Sequence, residues 1–300
     1  MSGRLLILWV CDQARHAHGG GQASAYLLNP LTCPTCTNYA QGGSRVLLQP
    51  GIGNSGTSGG PSDYDRTKNF NAASSIPVKE QIDIHLGTQG ESTFKAGDLV
   101  FVLAGANDIF VHADSQSTAD EKQAAIYKTA LALAGEAVRL KQANATALVV
   151  IGLPDMGKTP AGAARGSAVA DALSALSRQV FNVALATELK KNNILFIDPN
   201  EILGDVLAKP ADYGFKVTTE GTACGVSPNA TKAGFDDPNN PSSLFCSVPN
   251  ATATNSGTLR APGADTTYMF ADSVHPTSQA HKVLADFLGR KLPRLLSDAM

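Results

Sequence analysis

The sequence predicts an α/β chain built on a parallel sheet with helices on both of its faces. Three observations carry that prediction. Continuous apolar runs end in Gly or Pro, as strands covered on both sides should. Amphipathic stretches with helical spacing lie between these runs. The two kinds of segment alternate, strand then helix, through the middle of the chain.

The elements follow in order. Residues 49–75 contain "GIGNSGTSGG" and read as a long polar loop before a short helix at "PVKEQIDIHL". "DLVFVLAG" (98–105) is an apolar run closed by Gly105 and predicts a buried strand. A helix is expected over about 118–142, where Ile126, Ala130, Leu133, Ala137 and Leu140 share one face. "ALVVIGLP" (147–154) predicts the next strand, and Val169, Leu173, Leu176, Val180 and Val183 mark a second long helix. "NILFIDP" (193–199) is a third strand in this region. Residues 210–268 are rich in loop formers and interrupt the rhythm. A last helix is expected from Thr277 or Ser278, whose hydroxyls suit an N-cap. It should bury Ala280, Val283, Leu284, Phe287 and Leu288, and Gly289 and Pro293 should stop it. Without internal repeats, residues 1–300 read as one domain, with an atypical segment at 1–24 and a loop-rich insertion at 210–268.

Bulk properties narrow the function. The 300 residues are 43% hydrophobic and 17% charged, with a net charge of −2. Lys and Arg are scattered, so no nucleic-acid partner is expected. No apolar run approaches the roughly 20 residues that span a bilayer, so no stable membrane insertion is expected either. "LLILWVC" follows a single Arg4 and lacks a small-residue cleavage site, which makes it a poor signal peptide. Of five cysteines, Cys33 and Cys36 form "CPTC", and Cys224 and Cys246 bracket a Gly/Pro/Asn/Ser-rich stretch. "CPTC" has no second CxxC or His pair to complete a zinc site. Two local pairs and one spare thiol point to an oxidising compartment.

Ligands of open parallel sheets gather at the carboxyl ends of the strands. The strand at 98–105 runs into "GAND", which puts Gly105, Asn107 and Asp108 at that rim. The Asn107 amide could face a developing oxyanion, or could simply form a turn. "NYAQGGSRV" (38–46) offers the backbone amides of Gly42 and Gly43 in a turn open to close approach. Near the C-terminus stands "ADSVHPTS", where Asp272 lies three residues before His275 and can hold its imidazole in one tautomer. His85 and His112 show no partner spacing and read as surface or packing residues.

"NYAQGGSRV", "GAND" and "DSVHPT", in this order on a parallel α/β chain, resemble the SGNH (GDSL) esterase and lipase family. The resemblance spans about residues 33–290. It implies a three-layer α/β/α sandwich around a flavodoxin-like, five-stranded parallel sheet. It also implies hydrolysis of carboxylic esters through an acyl-enzyme, with no metal or organic cofactor. His275 would be the general base, Asp272 its orienter, and Gly43 and Asn107 oxyanion donors, with Gly105 and Asp108 supporting them. The partner would be a small-molecule or lipid ester, and an exported bacterial protein is the expectation.

One block departs from the family pattern. There, a buried strand leads into Gly-Asp-Ser, whose serine is the nucleophile. Here Leu5–Val10 would serve as the strand, but Cys11, Asp12 and Gln13 follow it, and Gly-Asp-Ser occurs nowhere. An amide cannot attack an ester. Three readings stay open: an altered start that lost the block, a silent relative that binds esters or glycans, or an unusual nucleophile. Candidates for the last are Ser44, Ser24, Cys11 and Ser58, and the nucleophile stays unassigned. A competing pattern, "GLPDMGKT" (Gly152–Thr159), satisfies the phosphate-loop spacing after a strand. Pro160, Gly162 and Gly166 follow it where a helix should begin, so a strand-to-loop turn is the expectation and an NTPase the remote alternative.

Overall fold

The structure is a computed structural model of the chain and describes residues 5–9, 37–48, 51, 76–89, 94–95, 97–225, 243, 246 and 258–298. Five strands are hydrogen-bonded in parallel: β1 (Leu5–Trp9), β2 (Thr37–Asn38), β3 (Leu99–Leu103), β4 (Ala147–Ile151) and β5 (Leu195–Ile197). Their order across the sheet is β2-β1-β3-β4-β5, the flavodoxin-like arrangement with a switch point beside the first strand. β1 is central. It pairs with β3 from Leu5–Leu99 to Trp9–Leu103, and with β2 at Leu6–Thr37 and Ile7–Asn38.

Alternation along the strands assigns the two faces. Val100, Val102, Leu148 and Val150 pack with α1 (Val78–Gln89), α2 (Ala106–Ala113), α3 (Ala119–Gln142), α4 (Ser167–Ser174) and α5 (Val183–Lys191). Phe101, Leu103, Val149, Ile151 and Ile197 face the other way, against α6 (Asn200–Ala208) and α7 (Ser278–Asp298). Helices on both faces of one parallel sheet make the three-layer sandwich. α3 forms as the spacing predicts: Ile126, Ala130, Leu133, Ala137 and Leu140 are all buried. Thr118 starts it with a capping box, its hydroxyl accepting from Glu121 N–H while the Glu121 carboxylate accepts from Thr118 N–H.

Two helices differ from the expectation. The second long helix carries a π-helical stretch, Ala175–Asn182, between α4 and α5. The wider turn shifts the phase, so Leu173, Leu176 and Phe181 are buried while Val169 and Val183 are exposed. α7 also does not stop at Gly289 or Pro293 but runs to Asp298 with the proline inside it. Both residues are exposed, so the carbonyl that Pro293 leaves without a donor faces water. Its buried side is Ala285, Phe287, Leu288 and Leu292; Ala280, Val283 and Leu284 are half-buried.

Within the loop-rich stretch, Cys224 and Cys246 form a disulfide. Closing a loop with a separation of 22 residues contributes about 3 kcal/mol on the chain-entropy view. Cys33 and Cys36 lie outside the described residues, as do Cys11, Asp12, Gln13, Ser24 and Ser58.

Candidate active site

A tight turn ahead of α7 builds the Asp272–His275 pair. Phe270 and Pro276 form an antiparallel bridge, and Ala271 N–H donates to His275 O at 2.7 Å. The bridge folds the five residues between them back on themselves, which brings the carboxylate against the imidazole. Thr277 then fastens the turn from below. Its hydroxyl donates to Tyr268 O and accepts from Ala280 N–H in the first turn of α7, so it acts as the expected cap.

The Asp272 carboxylate is 4% exposed and accepts four hydrogen bonds. Val274 N–H and His275 N–H reach Oδ1 at 2.9 and 2.7 Å. Ser243 N–H reaches Oδ2 at 2.8 Å, and the imidazole Nδ1–H donates to the same oxygen at 2.7 Å. Burial by itself would push this carboxyl up. The charge and hydrogen bond of His275, with the Ser243 and Val274 amides, outweigh it and hold the group well below the usual carboxylate range. An ionised Asp272 fixes the proton of His275 on Nδ1 and leaves Nε2 as the acceptor.

Two further turns line the same cleft. Gly43 adopts a left-handed φ of 80° beside buried Ser44. Asn107, in the first turn of α2, donates from Nδ2 to Ser44 O at 2.7 Å. An amide nitrogen carries two hydrogens, so this bond locks the side chain while leaving one N–H for a ligand. Gly105 makes the sharp exit from β3 possible. Its φ is 112°, and a Cβ there would lie 2.4 Å from Cζ of buried Phe181. Asp108 does not reach the cleft. It is buried, accepting from Arg45 Nε at 3.1 Å and Val46 N–H at 3.0 Å, and so ties α2 to the Gly43 turn. Burial pushes its carboxyl up against the pull of Arg45.

Gly43, Asn107, Asp272 and His275 line one cleft of about 1250 Å³. β1 runs toward it, since Trp9 pairs with Leu103 at the same carboxyl rim from which Gly105 and Asn107 emerge. Of the nucleophile candidates, Ser44 is fully buried. Its hydroxyl donates to Ile76 O at 2.8 Å and accepts from Gln81 Nε2 at 3.1 Å, so it is a brace for the turn.

The phosphate-loop spacing does not make a phosphate loop. After β4 the chain enters a 3₁₀ turn at Met156–Lys158 and a helix of five residues, Pro160–Ala164. Gly157 packs so closely on α4 that a Cβ would lie 2.1 Å from Ala170 O. The Thr159 hydroxyl is buried, donating to Met156 O and accepting from Gly162 N–H. Asp198, just after β5, accepts from the Asn200 backbone and side chain. No His, Cys, Asp or Glu grouping fit for a metal occurs among the described residues. Gly152–Thr159 thus forms the packed strand-to-loop turn that the residues following it predict.

Three contributors escaped the sequence reading. Ser243 supplies an amide to Asp272 from a loop whose sole signal was the nearby Cys246. Asn182 brackets Leu153, accepting from its N–H and donating to its carbonyl at 2.8 Å each, and so fixes the exit from β4. The one hint was a polar residue beside buried Phe181 in an apolar helix. His281 lies buried one turn into α7 and lines the same cleft. His85 is a packing residue, as expected, stacked on Phe94 and edge-on to Tyr39.

The comparisons with known proteins bear on this geometry. A carbohydrate acetylesterase from Sinorhizobium meliloti aligns over 97% of this chain and 99% of its own, at 10% identity and a TM-score of 0.45. A phospholipase A1 from Streptomyces albidoflavus aligns over 100% of both chains, at 12% identity and a TM-score of 0.45. An extracellular lipase from Streptomyces rimosus aligns over 99% of this chain and 100% of its own, at 14% identity and 0.41. These are distant likenesses. A search of curated proteins finds no match. The family model for GDSL-like lipases and acylhydrolases, in contrast, matches residues 19–288, nearly the whole chain. It takes in the Gly43 turn, the Asn107 turn and the Asp272–His275 pair, and the chain belongs to the GDSL-like lipase/acylhydrolase family.

Proposed function

We propose that the chain hydrolyses carboxylic esters of small molecules or lipids through an acyl-enzyme. His275 is the general base and Asp272 its orienter, with the Gly43 N–H and the second Asn107 amide hydrogen as oxyanion donors. The observation that carries this reading is the buried, fully hydrogen-bonded Asp272 carboxylate on Nδ1 of an imidazole that shares a cleft with both donors. A free Asp–His surface pair would not need four bonds to its carboxylate.

The chemistry follows from the geometry. Nε2 of His275 takes the proton of a hydroxyl or thiol nucleophile as it attacks the ester carbonyl. The carbonyl oxygen gains charge, and preorganised donors in a partly dry cleft stabilise it; each is worth about 3 kcal/mol in such sites. The imidazolium, steadied by ionised Asp272, returns the proton to the leaving alkoxide, which departs as alcohol. Water then enters, loses a proton to Nε2 as its oxygen attacks the acyl carbon, and the acid leaves as that proton returns from Nε2 to the nucleophile. General-base catalysis of this kind contributes about 10²–10⁴-fold. The nucleophile stays unassigned, since Cys11, Ser24 and Ser58 lie outside the described residues. Oxidising export fits the Cys224–Cys246 disulfide.

A second reading rests on Cys11-Asp12-Gln13 standing where the family has Gly-Asp-Ser. On that reading the cleft binds esters or glycans without turnover. Chromogenic short-chain esters, assayed with the wild type and His275→Ala, decide between the two. Turnover that the substitution abolishes supports the hydrolase, and equal background rates in both proteins support the silent relative.

A further inference from the structure

Asp272 is held by two kinds of contact. The amides of Val274 and His275 come from its own turn, two and three residues away. The Ser243 amide comes from 29 residues earlier and lands on Oδ2, the oxygen that also takes the shorter of the two imidazole contacts. A local turn can rotate with its own donors. A remote donor sets the carboxylate plane against the rest of the molecule.

That remote donor is itself held by the disulfide. Ser243 O accepts from Cys246 N–H at 3.1 Å, so the two residues are tied directly to each other. Cys246 is bonded to Cys224, and Cys224 N–H donates to Ala271 O at 2.8 Å, immediately before Asp272. Ala223 N–H donates to Phe270 O at 2.8 Å in the same ladder. The circuit Asp272, Ser243, Cys246, Cys224, Ala271 closes on itself, and Asp272, Ser243 and both cysteines are at most 5% exposed. The titratable groups around it are His275 on Asp272 and, from α7, His281 beside His275.

We infer that the Cys224–Cys246 disulfide positions the Asp272–His275 pair for catalysis, acting through the Ser243 backbone amide. The inference rests on the general-base reading of His275. Breaking the bond releases Cys246 and with it the Ser243 amide, admits water to Oδ2 and frees the carboxylate to rotate. The imidazole then loses its fixed direction toward the nucleophile, so kcat falls while substrate binding in the cleft does not.

The test compares the oxidised protein with a Cys224→Ala/Cys246→Ala variant, well below its unfolding temperature and with far-UV circular dichroism as the fold control. The first readout is the far-downfield proton resonance of the His275 Nδ1–H, which needs no turnover. It should be sharp in the oxidised protein and broadened or lost in the variant. The second is steady-state kinetics on a chromogenic acetyl ester. Loss of one charge-assisted bond at the pair predicts a kcat lower by about tenfold with KM unchanged. Ser243→Pro removes the one amide and keeps the disulfide, and should reproduce both effects; it decides the matter if the double variant does not fold. A resonance and kcat that survive in whichever variant folds overturn the inference while leaving His275-dependent turnover intact. A lost resonance in a protein without turnover sustains the positioning role and defeats the hydrolase reading.

Discussion

Acidifying the protein should expose a stability term that belongs to one residue, His281. It is 4% exposed on α7. Burial first, and then the charge of neighbouring His275, lower its imidazole from 6.5 to about 4. Between those two values the unfolded chain binds a proton that the folded chain refuses. Stability is therefore fully present above about pH 6.5 and falls as pH drops toward 4. The term is worth about 2 kcal/mol between pH 7 and 5, and about 3 kcal/mol by pH 4. Either is a large share of a typical folding free energy of about 5–15 kcal/mol. Urea denaturation at pH 7 and pH 5, on the wild type and on His281→Gln, isolates it. Other groups titrate alike in both proteins, so the wild type should lose about 2 kcal/mol more than the variant over that interval. Equal losses would mean that His281 is not held neutral in the fold, and the reasoning from burial would fail.

Three further outcomes are expected. In Asp272→Asn an amide NH₂ faces the N–H of Ser243 or of the imidazole, the ring turns to the wrong tautomer, and kcat should fall about 10³–10⁴-fold with little change in KM on a chromogenic ester. Asn107→Ala removes the proposed oxyanion donor and leaves Ser44 O without that partner; kcat should drop about 100-fold, with a modest loss of thermal stability by calorimetry. Gly105→Ala forces a Cβ within 2.4 Å of fully buried Phe181 at a φ of 112°, and denaturant titration should show a loss of about 3 kcal/mol.

The parts of the molecule legible in the sequence are those where local chemistry and global packing agree. α3 was readable because five apolar residues keep one helical phase for its whole length and Thr118 and Glu121 cap it. The Asp272–His275 turn was readable because Asp272, Val274, His275 and Thr277 bond to partners only a few residues away. The π stretch at Ala175–Asn182 was not, since one wider turn leaves composition unchanged while rotating Val183 to the surface. Pro293 misled for a related reason: a proline ends a helix where its orphaned carbonyl is buried, and here that carbonyl meets water. Ser243 and Asn182 act at contacts 29 residues away in the chain, which no local pattern records. Ser44 illustrates the converse, a hydroxyl beside an oxyanion turn that burial converts into scaffolding.

The central claim is that His275 activates a nucleophile at the carboxyl rim of the sheet. An alkyl fluorophosphonate, which expels fluoride when an activated hydroxyl attacks phosphorus, tests it by mass spectrometry of the intact and digested protein. The account predicts one adduct per chain, on a residue that follows β1, forming at least about 100-fold more slowly in His275→Ala. No adduct on the wild type, or labelling at the same rate in His275→Ala, would contradict it.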